Sequence, residues 1–308
     1  MKIGVVVNPA AGGGRLRELW PSIMQAFEQR LERLSVTFTQ KSGDGAGLAE
    51  QLARDGAKLI IAAGGDGTAS EVADGILRSG ATAQLGIVPV GTGRDFVRNF
   101  GMPRGEMAAV EAICSGRTRT IDVGRVHYLD DDGESRVRHF LNVASLGVSG
   151  PTVRAVNAAK ANRPVSARLA FYYHTLRELI RYREQNIRVI LDDSAPIELR
   201  TALVAIANGR FFGSGMMIAP GASLEDGLFD VLLYRPEGKL RMLLDFQLIY
   251  KGLHTTLPRV TVMRASSVEV VPMHGDPSNA ALLDIDGESP GRIAARFEIL
   301  PRALTLRV

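Results

Sequence analysis

Over its first 125 or so residues the sequence repeats one pattern four times, a short apolar run followed by an amphipathic stretch. The run at residues 2–7, Lys-Ile-Gly-Val-Val-Val, is rich in β-branched residues, which is typical of a strand buried on both faces. The stretch from Leu16 to Leu34 then places apolar residues at helical spacing. Repeated units of this kind favour a parallel sheet covered by helices. We therefore predict a parallel βα domain over residues 1–124.

After Asp122 the pattern changes to many short strands with few helices. Residues Arg125–Leu129 and Arg138–Ala144 flank the sequence Asp-Asp-Asp-Gly at 130–133, which predicts a hairpin. The other predicted elements are helices at Thr152–Arg183 and Lys239–Tyr250 and strands at Ile187–Leu191, Ile197–Ala207, Leu228–Tyr234, Arg259–Val271, Ala281–Ile285 and Ala295–Leu300. Such an arrangement favours an antiparallel, sandwich-like domain.

The expected fold class is therefore α/β plus β-rich, with the β-rich domain over residues 125–292. The tail at about 293–308 is left as a segment that could return to the first domain.

Composition limits the classes of function. The net charge of +4 is small and dispersed, so no nucleic-acid partner is expected. Cys114 is the only cysteine, which excludes a disulfide framework. No apolar run reaches the roughly 20 residues of a membrane span. We expect a cytoplasmic protein, with peripheral contact at the inner membrane face left open, and the oligomeric state, a homodimer included, also left open.

Three glycine-rich turns follow predicted strands, at Asn8–Gly14, Gly64–Thr68 and Gly91–Gly93. In a parallel sheet all three lie at the edge where strands end and helices begin, which is where ligands bind. Glycines let backbone N–H groups approach a phosphate closely, and a helix N-terminus adds positive potential. One such turn is often only a tight turn. Three at one edge favour a nucleotide.

Asp66 lies among these glycines. A carboxylate beside a phosphate cradle needs a cation between them, which favours a Mg²⁺ ligand. An aspartate just before a helix is also a common helix cap, and the residues alone leave both interpretations open. The sequence lacks a Walker-type Gly-x-x-x-x-Gly-Lys-Ser/Thr motif, so an ordinary P-loop NTPase is not expected.

Several motifs together resemble a known family. Gly64-Gly65-Asp66-Gly67-Thr68 resembles the nucleotide motif shared by NAD kinases, phosphofructokinases and diacylglycerol kinases. Val90–Phe96 resembles the Gly-Thr-x-Asn-Asp-Phe motif of the diacylglycerol and sphingolipid kinase branch, and Asn8-Pro9 with its following glycines matches that branch too. Later segments that resemble the same branch are Leu141–Gly147, Ala207–Pro220, Leu224–Asp230 and Leu283–Glu288. The chain thus resembles the diacylglycerol kinase catalytic-domain family, and most of all its small bacterial lipid kinases.

The resemblance implies an N-terminal domain like that of NAD kinases and phosphofructokinases. It also implies an ATP- and Mg²⁺-dependent kinase of lipid metabolism that transfers the γ-phosphate of ATP to the hydroxyl of diacylglycerol or a related lipid alcohol. The lipid substrate would be presented at a membrane surface.

Site residues follow from the same resemblance. ATP would contact Asn8, Pro9, Ala10, Ala11, Gly12, Thr39, Gly64, Gly65, Asp66, Gly67, Thr68, Ala69, Ser70 and Thr92. Asp66 would hold the catalytic magnesium, with Asp95 in the same network of carboxylates and water. Glu288 would be the general base that takes the proton from the lipid hydroxyl. From the residues alone, Asp286-Gly287 reads as a hairpin turn with Glu288 as its solvated neighbour.

A second, structural magnesium is implied at residues 224–230. Asp226 would supply a side-chain oxygen, and Ser223 and Leu228 would supply backbone carbonyls. Oxygen ligands suit Mg²⁺, although acidic turns are usually only solvated.

Two positions depart from the family pattern, since Arg94 and Ser70 stand where asparagine is usual. Arg94 either clamps the transferred phosphoryl group or points outward without a special role. The alternatives for function are a NAD kinase-like small-molecule kinase, which shares the Gly64–Thr68 motif, and a catalytically idle lipid-binding or regulatory homologue.

The predicted helical region Thr152–Arg183 interleaves arginines and lysines with aromatic and aliphatic residues. Such a surface could dock on anionic lipid headgroups. An ordinary helix that covers a sheet has the same sequence pattern, and the two interpretations stay open.

Overall fold

A computed structural model of the protein describes residues 1–91, 93–101, 105–160, 167–273 and 280–308, with the backbone alone at 160 and 167–171. The chain forms two compact units. One contains Met1–Val123 and Pro301–Val308, and the other contains Gly124–Leu300. The predicted domain limits were 124/125 and 292/293, whereas the division between the units lies at 123/124 and 300/301.

The N-terminal unit is built on a parallel sheet. Its strands are β1 (Ile3–Val7), β2 (Leu34–Phe38), β3 (Leu59–Gly64) and β4 (Gln84–Pro89), in the order β2-β1-β3-β4. The last residues of the chain add a parallel strand beside β4, with Leu306 opposite Leu85. Its helices are α1 (Arg15–Glu28), α2 (Asp44–Arg54), α3 (Asp66–Ser79), α4 (Asp95–Arg98) and α5 (Glu106–Ser115). The prediction of a parallel α/β unit is confirmed, and α5 is a helix that the sequence analysis missed.

The C-terminal unit consists mainly of antiparallel strands. Its strands are β5 (Thr118–Asp130, from Gly124), β6 (Ser135–Phe140), β7 (Val143–Gly147), β8 (Gln185–Leu191), β9 (Ile197–Thr201), β10 (Leu203–Ala207), β11 (Phe211–Phe212), β12 (Met216–Met217), β13 (Phe229–Tyr234), β14 (Val260–Ala265), β15 (Ser267–Pro272), β16 (Leu283–Ile285) and β17 (Gly291–Arg307, to Leu300). Its helices are α6 (Ser149–Lys160), α7 (Ala167–Arg181), α8 (Lys239–Ile249) and a short 3-10 helix at Leu253–Thr256.

Two sheets of this unit enclose its main core. One has the order β14-β13-β10-β7-β16, and the other includes β17-β15-β8-β9. Side chains from both meet in one buried cluster, in which the Phe140 ring stacks on Phe229 at 5.7 Å and meets Phe297 edge-on at 6.4 Å. The predicted hairpin is present as β5 and β6. The prediction of an antiparallel, sandwich-like domain is confirmed.

Three predicted strands are each divided in the structure. Arg138–Ala144 is divided between β6 and β7, Ile197–Ala207 forms β9 and β10, and Arg259–Val271 forms β14 and β15, with the members of each pair in different sheets. The chain changes sheets at Ala202, whose carbonyl accepts a hydrogen bond from the Val148 amide at 2.9 Å. It changes again at Ser266, whose amide donates to Asp192 Oδ1 at 2.9 Å. The predicted helical region Thr152–Arg183 contains α6 and α7, and residues 161–166 lie outside the described part.

A buried carboxyl group lies on β16. Asp284 Oδ1 accepts a hydrogen bond from the Gly287 amide at 2.9 Å, and Oδ2 lies 3.3 Å from Ser145 Oγ, which is itself 2.8 Å from Ser149 Oγ. Burial raises the pKa of Asp284 to about 7, against the hydrogen bond from Gly287. The carboxyl group is therefore protonated in much of the folded protein near neutral pH.

The raised pKa of Asp284 predicts a pH-dependent stability. Its folded-state pKa exceeds the ordinary value of 3.8. The contribution of this group to the free energy of unfolding is therefore fully present below about pH 3.8 and is lost as the pH rises through 7. We expect the melting temperature of Asp284→Asn, relative to wild type, to increase between about pH 5 and about pH 8. Asp132→Asn, at the exposed hairpin, is the control and should follow wild type. A constant difference between Asp284→Asn and wild type across this range would contradict the assignment.

Candidate active site

The ends of the parallel strands bring the glycine-rich turns to one edge. The Asn8 amide donates to Ala63 O at 3.0 Å, so the turn after β1 lies beside the end of β3. The Val90 amide donates to Gly64 O at 2.7 Å, which joins the end of β3 to the turn after β4. On the other side of β1, the Thr39 amide donates to Val7 O at 2.9 Å. The three turns therefore share the edge at which the sequence placed them.

Side-chain contacts fix the geometry of the first two turns. Asn8 Nδ2 donates to Thr68 Oγ1 at 3.1 Å, and Asn8 Oδ1 accepts from the Ala10 amide at 3.1 Å. A Cβ atom on Gly64 would lie 2.4 Å from Thr68 Oγ1, so only glycine lets the side chain of Thr68 turn back over the strand end. The consecutive residues Gly12 and Gly13 have φ values of 65° and 72°, in the left-handed region that favours glycine.

Asp66 begins α3 and faces the turn that follows β4. Its Oδ1 accepts a hydrogen bond from the Phe96 amide at 3.2 Å, which places it next to the first turn of α4. Asp66 and Phe96 line a small cavity of about 10 Å³ together with Gly65 and Gly91. Asp95, the residue before Phe96, is buried, and its Oδ1 lies 3.6 Å from Arg98 Nε. The fold thus brings Asp66 close to the chain segment that carries Asp95.

The other predicted ATP contacts lie along the same edge. Residues 8–12 form the turn after β1, and Thr39 directly follows β2. Gly64 ends β3, and residues 66–70 form the first turns of α3, where Ala69 and Ser70 are buried. Thr92 lies outside the described residues. Contact of these residues with ATP stays a prediction.

Arg94 is held against this edge instead of extending into solvent. Its backbone is left-handed, with a φ of 54°. Its Nε donates to Gly91 O at 3.3 Å, and its Nη2 lies 3.3 Å from Glu106 Oε1, which also pairs with Arg15 at 3.4 Å. Arg94 is among the residues that line the small cavity beside Asp66, and part of its charge is balanced by Glu106.

Glu288 lies in the C-terminal unit, on a tight turn after β16. Ile285 and Glu288 exchange backbone hydrogen bonds of 2.7 and 3.1 Å, and the residues between them, Asp286 and Gly287, have positive φ values of 49° and 86°. This is the hairpin turn that the Asp-Gly sequence predicts.

Asp286 ties this turn to the start of β7. Its carboxylate accepts hydrogen bonds from three consecutive backbone amides, those of Leu141, Asn142 and Val143, at 2.7, 3.0 and 3.1 Å. The Asp286 amide also donates to Val143 O at 3.1 Å. Bonds to a charged acceptor are stronger than neutral ones, so the turn is anchored to the sheet.

Arg138 on β6 holds the side chain of Glu288. Its Nη1 lies 2.9 Å from Glu288 Oε2, and the two side chains are 14% and 29% exposed. A partly buried guanidinium needs a charged partner, so this ion pair both neutralises Arg138 and restricts the rotamer of Glu288. Glu288 is therefore oriented, and not only a solvated neighbour of the turn.

Segments that are far apart in the sequence meet beside this turn. β7 lies between β10 and β16, so residues 141–147, 203–209 and 283–288 are neighbours. The amides of Asn208 and Gly209 both donate to Asn142 O, at 2.9 and 2.8 Å, and Asn208 Nδ2 donates to Leu141 O at 2.8 Å. The motif-bearing segments of the C-terminal unit are thus brought together.

In the turn predicted to bind a structural magnesium, Asp226 is paired with an arginine of another strand. Asp226 Oδ2 pairs with Arg264 Nη2, and Asp226 Oδ1 accepts from the Leu228 amide at 3.2 Å. Arg264 also reaches Asp230, with 3.5 Å between Nε and Oδ1. A magnesium ion on Asp226 would have to displace this guanidinium, so the residues fit the ion poorly. Magnesium bound by Asp226, Ser223 and Leu228 stays a prediction.

An apolar cavity of about 70 Å³ lies inside the C-terminal unit. It lies between one face of the five-stranded sheet and the helices α6, α7 and α8. Its lining is mostly aliphatic and aromatic, with Leu232 from the sheet and Phe246 from α8 as examples, and its polar residues are Ser149, Thr152, Thr175, Asp245, His254 and Asp284. Asp284 is four residues before Glu288, so the cavity wall and the turn belong to one short segment.

The sequence analysis missed Arg138, Arg264 and the role of Asp286 as an anchor. Arg138 and Arg136 lie on the same face of β6, and only the fold shows that one meets Glu288 and the other Asp130. The Asp-Gly sequence predicted the turn, but it did not predict the three backbone amides that donate hydrogen bonds to Asp286. Among the described residues, no cluster of three or more His, Cys, Asp or Glu side chains is arranged to hold a metal.

No helix in the described part of the chain is both long and apolar enough to span a bilayer.

Comparison with known proteins agrees with this architecture. The model of the diacylglycerol kinase catalytic domain matches residues 2–126, and the model of the YegS C-terminal NAD kinase beta sandwich-like domain matches residues 142–308. A diacylglycerol kinase of Mycobacterium tuberculosis is 30% identical over 271 residues, which cover 87% of this chain and 84% of that protein. A diacylglycerol kinase of Bacillus subtilis is 28% identical over 300 residues, covering 97% and 93%.

A solved structure shares the whole fold. The crystal structure of a putative diacylglycerol kinase from Bacillus anthracis superposes with a TM-score of 0.79 at 24% identity, covering 99% of this chain and 96% of that one. The two matched domain models together span nearly the entire sequence, in the order that the motifs predicted. The chain therefore belongs to the diacylglycerol kinase catalytic-domain family of kinases.

Proposed function

We propose that the protein is an ATP- and Mg²⁺-dependent lipid kinase that phosphorylates the hydroxyl group of diacylglycerol or a related lipid alcohol. The observation that carries this proposal is that Glu288 and an apolar cavity belong to the same unit, joined by the segment from Asp284 to Glu288. A base next to an apolar compartment suits an alcohol attached to a hydrocarbon chain.

The chemistry assigned to Glu288 is proton transfer. As the lipid oxygen forms its bond to the γ-phosphorus, its proton passes to Glu288, and the bond between the γ-phosphorus and the bridging oxygen of ADP breaks. Arg138 holds Oε2 of Glu288 at 2.9 Å, which orients the carboxylate that would accept the proton. Orientation of this kind is a large part of phosphoryl-transfer catalysis.

We assign nucleotide binding to the N-terminal unit. The turns at Asn8, Gly64 and Gly91 offer backbone amides to phosphate oxygens, and the start of α3 adds positive potential. Asp66 fits a magnesium ligand, since it is an oxygen donor whose orientation is set by the Phe96 amide. Bound magnesium would neutralise charge on the β- and γ-phosphates.

The size of the cavity limits how a lipid can enter. An engineered apolar cavity of about 150 Å³ accommodates benzene, and this cavity is about 70 Å³. A long hydrocarbon chain therefore needs more room than this cavity provides, while the lining residues supply the apolar surface that the chain would bury.

One assay separates this proposal from its alternatives. The protein is incubated with γ-labelled ATP, Mg²⁺, a panel of lipids and NAD. We expect label in a lipid. Label in NADP would replace the proposal with a NAD kinase-like function, and transfer to neither would replace it with an idle homologue.

Glu288→Gln tests the general base. The amide oxygen can still accept from Arg138 but cannot take a proton, so we expect kcat to fall by roughly 100- to 10,000-fold. The melting temperature should fall only slightly, because the ion pair with Arg138 is replaced by a neutral hydrogen bond at a partly exposed position. Glu134→Gln, an equal charge change at the exposed hairpin, should keep wild-type kcat. Wild-type turnover by Glu288→Gln would remove Glu288 from the mechanism.

Arg264→Gln tests the magnesium turn. Without Arg264 the Asp226 carboxylate is released to bind a cation, so millimolar Mg²⁺ should raise the melting temperature of Arg264→Gln more than that of wild type. The double variant Asp226→Asn/Arg264→Gln should lose this extra rise. Equal responses of the single and double variants would show that the turn does not bind magnesium.

A further inference from the structure

Three charged side chains meet beside the turn that follows β4. Arg15 is the first residue of α1, Arg94 directly precedes α4, and Glu106 is the first residue of α5. Glu106 Oε1 lies 3.4 Å from Arg15 Nη2 and 3.3 Å from Arg94 Nη2. Because Arg15 follows the glycine-rich turn after β1, these contacts join the ends of the first and third glycine-rich turns. We call Arg15, Arg94 and Glu106 the arginine cluster.

The arginine cluster carries more positive than negative charge. Both guanidinium groups are always protonated, and they share one oxygen of a single carboxylate. The neighbouring carboxylates have other partners, since Asp95 pairs with Arg98 and Asp66 accepts a hydrogen bond from the Phe96 amide. Two cations that converge on one anion repel each other, so a second anion beside them would stabilise the cluster.

A ligand can reach both guanidinium groups from solvent. The side chains of Arg15 and Arg94 are 56% and 26% exposed, whereas that of Glu106 is 14% exposed. The carboxylate therefore lies at the protected side of the cluster, and the positive groups lie at its open side.

The backbone of Arg94 also indicates a function for its side chain. Its φ of 54° and ψ of 32° lie in the left-handed region, which is uncommon for a long side chain and is tolerated by asparagine. Conformations of this kind cost free energy and are concentrated at binding and catalytic sites. The hydrogen bond from Nε to Gly91 O at 3.3 Å keeps the guanidinium group against the turn.

The arginine cluster adjoins the carboxylate that is assigned to magnesium. Arg94 and Asp66 line the same small cavity with Gly65 and Gly91. In kinases magnesium bridges oxygens of the β- and γ-phosphates, so a nucleotide whose magnesium is bound by Asp66 would have these two phosphates next to Arg94. An arginine presents a planar fork of donors that matches the oxygens of a phosphate.

We propose that Arg94 and Arg15 bind oxygens of the β- and γ-phosphates of the nucleotide, and that Glu106 positions both guanidinium groups. This inference deepens the proposed function, on which the choice of a nucleoside triphosphate rests. The competing role is purely structural, with Glu106 only tying α5 to α1 and to the turn after β4.

Arg94→Asn removes one guanidinium group and keeps a residue that tolerates the left-handed backbone. Arg15 then pairs with Glu106 alone, and the surplus positive charge is lost. Calorimetry in the presence of Mg²⁺ should show the affinities for ATP and for tripolyphosphate falling roughly 10- to 100-fold. The affinity for AMP, which lacks both phosphates, should stay near that of wild type.

Arg17→Asn is the matched control. It makes the same change in charge at an exposed position of α1, and it should bind ATP and tripolyphosphate like wild type. The melting temperature of Arg94→Asn should stay close to that of wild type, because relief of the strained backbone offsets the loss of a partly exposed ion pair.

Glu106→Gln in the Arg94→Asn background restores the surplus charge. Arg15 is then no longer neutralised, so Arg94→Asn/Glu106→Gln should bind tripolyphosphate more tightly than Arg94→Asn does. A purely structural cluster predicts the opposite, since the removal of a second member would loosen the turns further.

Four results would overturn the phosphate site. Wild type could bind neither ATP nor tripolyphosphate, or Arg94→Asn could bind both as wild type does. Arg94→Asn could lose as much affinity for AMP as for ATP. Finally, Arg94→Asn/Glu106→Gln could bind tripolyphosphate no more tightly than Arg94→Asn.

Tripolyphosphate keeps this proposal separate from the proposed function, because its binding requires neither a lipid nor turnover. If the variants bind tripolyphosphate as expected but wild type phosphorylates no lipid, the proposed function is overturned and the phosphate site is supported. If wild type and Arg94→Asn phosphorylate lipid with the same KM for ATP, the proposed function is supported and the phosphate site is overturned.

Discussion

The carboxylate of Asp286 is the contact on which the candidate site depends. It binds three consecutive amides at residues 141–143 and so fixes the turn after β16 to the start of β7, across a sequence separation of more than 140 residues. Without that anchor, a four-residue turn would carry Glu288 on a mobile loop tip. With this anchor, the backbone of Glu288 stays where its side chain can pair with Arg138. The position of Glu288 is thus set by the backbone and its orientation by a second strand.

A second feature connects the apolar cavity with the surface of the protein. α8 is held to the sheet by Asp245, whose Oδ2 accepts hydrogen bonds from Tyr234 Oη at 2.7 Å and from Arg259 Nε at 2.5 Å. Buried ion pairs of this kind add little net stability, but here the bonds of Asp245 connect α8 to the sheet. They orient a helix that is apolar both toward the cavity and toward solvent. α7 and α8 therefore line the cavity on one side and expose apolar side chains on the other.

The features that were best predicted from the sequence are those that local sequence patterns determine. The βα alternation and its glycine-rich turns placed the edge that contains Asn8 and Asp66, because strand ends in a parallel sheet share an edge. Features that depend on distant partners were not predictable. The strand predicted at 197–207 divides because the Ala202 carbonyl bonds to Val148. The partner of Glu288 is 150 residues away, and nothing in the alternation of β6 distinguishes Arg138 from its neighbours.

The kinetics of Asp286→Asn test the central claim most directly. Asparagine fills the same space but presents an amide group to backbone amides, so the turn should lose its fixed position while the sheet remains folded. The account predicts that kcat for lipid phosphorylation falls about 100-fold, with the affinity for ATP and the cooperativity of thermal unfolding retained. A variant that folds, binds ATP and turns over at the wild-type rate would contradict it.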